Sequence, residues 1–76
     1  MICRVKYFND KIKAYSGAEY TYKTDLDLRV YEKVLAPVAG SIEPKKAIVT
    51  SINLPTSVIS PSWADRVQKI KERDMA

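Results

Sequence analysis

From Ile2 to Phe8 the chain alternates, with Cys3, Val5 and Tyr7 forming an apolar face against a mixed face of Ile2, Arg4, Lys6 and Phe8. A period of two predicts a strand with one side on a core. Asn9-Asp10 supplies turn chemistry, because both side chains bond back to nearby backbone. Lys11–Gly17 is weakly patterned and reads as a return arm or a flexible loop. Alternation resumes over Ala18–Thr24, with Ala18, Tyr20 and Tyr22 opposite Glu19, Thr21 and Lys23, and aromatic and β-branched residues favour a strand there. Leu26, Leu28 and Val30 keep the same period. Tyr31-Glu32-Lys33 predicts a tight turn before Val34–Val38, which is apolar on both faces and reads as a central strand, with Pro37 at its end or on an edge. After a loop over Ala39–Pro44, Lys45–Leu54 predicts a long strand able to bend across a barrel, with Ile48, Ile52 and Leu54 on one face and Ala47, Val49 and Ser51 on the other.

Pro55 and Pro61 bracket a connector. Beyond it, Ser60 or Ser62 can cap a helix with Pro61 in the first turn and Asp65 near the N-terminal dipole. Trp63, Val67 and Ile70 would then share one face; the competing reading makes Arg66–Lys71 a final strand. The expected architecture is mainly β, a small SH3-like barrel of about five strands with a short C-terminal helix. It forms a single domain, with barrel strands over residues 1–54, a connector over 55–61 and the helix over 62–73.

A chain of 76 residues has room for one modest core. Its apolar runs fall short of the ~18 residues a membrane span requires, and Arg4 and Lys6 interrupt the N-terminal apolar stretch, unlike a signal peptide. A cytoplasmic location is expected. Cys3 is the one cysteine, so an intrachain disulfide is excluded and a small buried apolar role is expected.

The absence of histidine removes the usual neutral-pH base, and one cysteine without histidine removes zinc sites of the Cys/His kind. Only Gly17 and Gly40 are available, too few for a phosphate-cradling loop. Asp25, Asp27 and Glu32 could in principle offer oxygen ligands to a hard cation, but they lack the spacing of a calcium loop and read as solvated acids in a turn. The chain is expected to be a binding module and not an enzyme, with no catalytic residue, no metal and no cofactor.

Thirteen basic against nine acidic residues leave a net charge of +4, weighted toward the N-terminus. Arg4, Lys6, Lys11, Lys13 and Lys23 lie near Phe8, Tyr15, Tyr20 and Tyr22. Basic grooves whose aromatic rings stack on bases are how single-stranded nucleic acid is commonly held. The candidate nucleic-acid-binding set is Arg4, Lys6, Lys11, Lys13, Tyr15 and Lys23, with Tyr15 or Phe8 stacking. Against this stands a plainer account in which the tyrosines fill the core and the lysines solvate the surface. Two further partners are open: a protein, met through Trp63 and Arg66, as for a phage-encoded modulator of a host complex; or a small anionic ligand such as a nucleotide, held between subunits of a homo-oligomer.

The run Tyr20-Thr-Tyr-Lys-Thr-Asp-Leu-Asp-Leu-Arg-Val-Tyr-Glu-Lys-Val-Leu-Ala-Pro-Val38, followed by Lys46-Ala-Ile-Val-Thr-Ser-Ile52, resembles a small-barrel pattern. In it an aromatic-x-aromatic strand leads through Val-Gly-Asp-x-Val to a Val-Pro strand and then a valine-rich one. It is similar to the N-terminal DNA-end-binding domain of the primosomal replication-restart helicase and to small phage and mobile-element proteins. The resemblance covers about half of the chain and implies a barrel that binds DNA. Here Val30-Tyr31-Glu32-Lys33-Val34 stands at the turn, with tyrosine in the glycine position.

Overall fold

Alternation makes the first strand, β1 (Ile2–Asn9), whose Cys3 and Val5 are fully buried while Arg4 and Lys6, each the next residue along, face outward. The computed structural model describes residues 1–75, with the side chain of Trp63 outside the described part. Asn9 turns the chain as its composition requires: its side-chain oxygen accepts a hydrogen bond from the Lys11 amide at 2.9 Å. The weakly patterned arm returns as β2 (Ala14–Tyr15), which pairs Phe8 with Tyr15 and Asn9 with Ala14.

Three longer strands follow: β3 (Tyr20–Thr24), β4 (Lys33–Ala36) and β5 (Lys45–Leu54). Two short 3-10 turns, Thr56–Val58 and Pro61–Arg66, lead to β6 (Lys69–Ile70) and β7 (Glu72–Arg73). The strand order is β6-β3-β1-β5-β4-β7, with β2 paired on β1. β6 and β7 are separated by Lys71 alone, yet β6 runs parallel to β3 at one edge and β7 antiparallel to β4 at the other. One bent segment therefore joins both edges, and the sheet is a nearly closed barrel. With β6 and β7 taken as a single closing strand, it has the expected five, plus the β2 stub.

The helix expected over 62–73 does not form. The segment takes 3-10 geometry from Pro61 to Arg66, closed by an Ala64 carbonyl to Val67 amide bond at 3.3 Å, and then extends. Extension wins because two sheet edges offer unpaired amides and carbonyls, which an extended segment satisfies and a helix cannot. Ile70 is accordingly buried as a strand residue, 1% exposed. The strand reading of Arg66–Lys71 is the closer one.

Leu26, Leu28 and Val30 do not form a strand either. Leu28 fills the core from a loop while Val30 stays exposed, so the period of two there is not a ladder. The two strands at the middle of the sheet are β1 and β5, whereas β4 lies next to an edge and ends at Ala36, one residue before Pro37.

On β5 the buried face is Ala47 and Val49, both without exposed surface, and the face does not alternate to the strand's end. Val5 pairs with Val49 but Arg4 pairs with Ser51, and Ile2 pairs with Leu54, so β5 carries extra residues at two points. Each bulge shifts the inward and outward sides, which brings Ile52 back against the core. Thr50 sits at the first bulge and its hydroxyl donates to the Arg4 carbonyl at 3.2 Å. Asn53 takes a left-handed φ of 53° at the second.

The core gathers Cys3, Val5, Tyr22, Leu28, Val34, Ala36, Ala47, Val49 and Ile70. Burying a Val, Leu or Ile side chain stabilises by about 1.5–3 kcal/mol, so the barrel rests on these few residues. Among the described residues, no helix is long and apolar enough to cross a membrane.

Candidate nucleic-acid interface

Alternation carries Tyr7, Tyr20 and Tyr22 inward with the core residues, but they lie toward one mouth of the barrel. Tyr22 is buried, Tyr7 is half-buried and Tyr20 is 45% exposed. The Tyr7 and Tyr20 rings stack with centroids 4.5 Å apart and planes 19° from parallel. The ammonium of Lys45, at the start of β5, lies 5.2 Å from the Tyr7 ring centre, within cation–π range.

Two shallow clefts meet at Tyr7. One, of about 270 Å³, is lined by Tyr20, Tyr22, Pro37, Val38 and Val67, with Arg66 and Glu19 among its walls. The other, of about 410 Å³, lies between Phe8, Asn9, Lys11, Ser16 and Lys45. Together they make a groove around Tyr7, with Arg66 and Glu19 on the walls of the first cleft and Asp10, Lys11 and Lys45 on those of the second. A larger cleft, of about 470 Å³ around Leu35, Ile42 and Pro44, contains no aromatic ring and offers nothing for a base to stack on.

The hydroxyls beneath the stack form a chain with one possible direction. Tyr22 lies 2.7 Å from the Pro37 carbonyl, which can only accept, so the Tyr22 proton is used there. Tyr7 lies 2.5 Å from the Tyr22 oxygen and must therefore be the donor of that bond. Burial, reinforced by the bond with Tyr7, pushes the Tyr22 phenol well above the ordinary tyrosine range. Tyr22 stays neutral and the chain stays intact at physiological pH.

The candidate set separates into three places. Arg4, Lys6 and Lys23 occupy the outer face of the sheet, opposite the tyrosines, and Arg4 Nε donates to the Thr21 hydroxyl at 3.4 Å. Lys33 joins them there, since Lys6 and Lys33 both pair across Ile48. Lys11 and Lys13 sit on the β1–β2 turn, Lys11 in the second cleft. Tyr15 packs edge-on against Phe8, ring centres 5.1 Å apart, on the same hairpin. Arg66 lies on the wall of the first cleft, and the Trp63 side chain is outside the described residues.

Lys45 and the Tyr7–Tyr20 stack are additions to the set. The signal for the stack was present in the alternation that placed Tyr7 and Tyr20 on one face. That their strands stop burying residues at Tyr20 was not legible. Asp25, Asp27 and Glu32 do not converge: Asp25 pairs with Lys69 and Glu32 with Arg73. No group of three metal-ligating side chains occurs among the described residues.

Comparison with protein-family models, curated proteins and solved structures finds no significant match to this chain, so the barrel and its groove stand on their own geometry.

Proposed function

We propose that this protein is a non-enzymatic module that binds single-stranded nucleic acid across the groove at the barrel mouth. The observation that carries the reading is Tyr20, held flat on Tyr7 with nearly half its surface exposed, with Arg66 lining the same cleft and Lys45 over the Tyr7 ring. A ring already ordered by its neighbour can take a base on its free face at little entropic cost, and stacking tolerates any base. Arg66, Lys45 and Lys11 would then neutralise successive phosphates. Arg4, Lys6 and Lys23, on the outer face, contribute to the attraction at longer range.

The test is fluorescence anisotropy of labelled single-stranded and duplex oligonucleotides with nuclease-treated protein over a range of salt. Micromolar binding to single strands that weakens steeply with salt is expected, because phosphate contacts release counterions. Failure to bind at low salt, or binding indifferent to salt, overturns the proposal.

A further inference from the structure

We infer that the groove prefers bases bearing an exocyclic amino group, such as cytosine, over their carbonyl counterparts, such as uracil; this rests on the nucleic-acid reading above. The Tyr22 proton is committed to the Pro37 carbonyl, and the Tyr7 proton to the Tyr22 oxygen. Neither hydroxyl has a hydrogen left to donate. What Tyr7, Tyr22 and Pro37 still offer are lone pairs, and all three residues line the cleft beside the stacking ring.

A base lying against Tyr20 therefore meets acceptors at this part of its edge. An amino group at the pyrimidine 4-position donates into them, while a carbonyl at the same position sets oxygen against oxygen and leaves its own lone pairs unsatisfied. The raised Tyr22 phenol keeps this polarity fixed, because no tyrosinate forms to reorganise the chain. Gln68, on the cleft wall, can both donate and accept and so favours neither base.

The experiment compares labelled (dC) and (dU) oligonucleotides of equal length, which match closely in shape and stacking, against the wild-type protein and Tyr7→Phe. In the wild type (dC) is expected to bind roughly two- to tenfold more tightly, the worth of about one net hydrogen bond. Tyr7→Phe keeps the ring stack, removes one of the accepting oxygens and should lower the ratio toward one; circular dichroism and thermal melting establish that the variant folds. Tyr22→Phe gives a second reading, since it releases the Tyr7 proton to donate and should shift the preference toward (dU). Equal affinities in the wild type, tighter (dU) binding, or a ratio unmoved by Tyr7→Phe overturns the inference while leaving the groove a nucleic-acid site. If neither oligonucleotide binds at low salt, the underlying reading falls and this one with it.

Discussion

Thr24 donates its hydroxyl hydrogen to the carbonyl of Ile70 at 2.9 Å, linking residues 46 positions apart where each is only 1% exposed. The same oxygen accepts the Leu26 amide at 3.0 Å. Thr24 is thus the polar member of an otherwise apolar core, and it ties the closing strand to β3 and to the loop that delivers Leu28. Replacing it by valine keeps the shape and takes this partner from the buried Ile70 carbonyl and the partly buried Leu26 amide. Thr24→Val should lower stability by about 1–3 kcal/mol in urea denaturation, with Thr24→Ser retaining most of the wild-type value. An unchanged midpoint for Thr24→Val would show that water satisfies both groups.

Tyr31 has a φ of 72°, in the left-handed region, and the residue is 76% exposed. Its amide bonds the Val49 carbonyl at 2.7 Å and Val49 returns a bond to Glu32 at 2.9 Å, which hold the strained backbone in place. Tyrosine therefore stands where the turn asks for glycine. Tyr31→Gly should raise stability by roughly 0.5–1 kcal/mol, relief of the Cβ strain outweighing the added freedom of the unfolded chain. A lower urea midpoint would mean that the ring packs more than its exposure suggests.

The closing strand carries an ion pair at each end. Lys69 Nζ meets Asp25, and Arg73 Nε meets Glu32 at 2.5 Å. The Lys69 ammonium holds the Asp25 carboxyl below its ordinary value of 3.8; Glu32 is held below 4.5 first by the Arg29 amide and then by Arg73. Depressed carboxyls favour the folded state above the unfolded values and lose that advantage as pH falls through the folded ones. Thermal melting should show the wild type above the Asp25→Asn, Glu32→Gln double variant near pH 7, with the two converging as the pH falls through the lowered folded values and in high salt. A gap that persists in acid would rule out this source.

Within the groove, Tyr20→Ala should weaken single-strand binding by roughly five- to a hundredfold with little change in melting, from the loss of one stacked base. Arg66→Ala and Lys45→Ala should each flatten the salt slope by about 0.7, the value of one phosphate contact on a single strand. Lys23→Ala, on the opposite face, should leave that slope nearly unaltered. The reverse ranking would move the interface to the outer sheet.

Much of the barrel is readable from residue order. Ile2–Phe8 and Lys45–Leu54 announce their strands because alternation there is driven by burial on one side. Leu26–Val30 shows the same alternation for a different reason: one leucine drops into the core from a loop, and spacing alone does not tell a ladder from an anchor. The closing segment is short and partly charged, and it is extended only because two distant edges lack partners, a tertiary cause with no local signal. At the site, the rings were visible as residues, but their pairing into a stack depends on the register Val5 to Tyr20, which is set by the whole sheet.

A growing chain that has emerged only as far as Leu54 already holds β1, β3, β4 and β5, yet the outer edges of β3 and β4 wait for residues 69–73. Such an intermediate exposes two rows of unused amides and carbonyls, a template for pairing with another nascent copy. Cooperative folding is thereby postponed until nearly all of the described chain is synthesised, and it proceeds through long-range closure of the slow kind. Burial of Ile70 and the covering of both sheet edges are in that sense the same event.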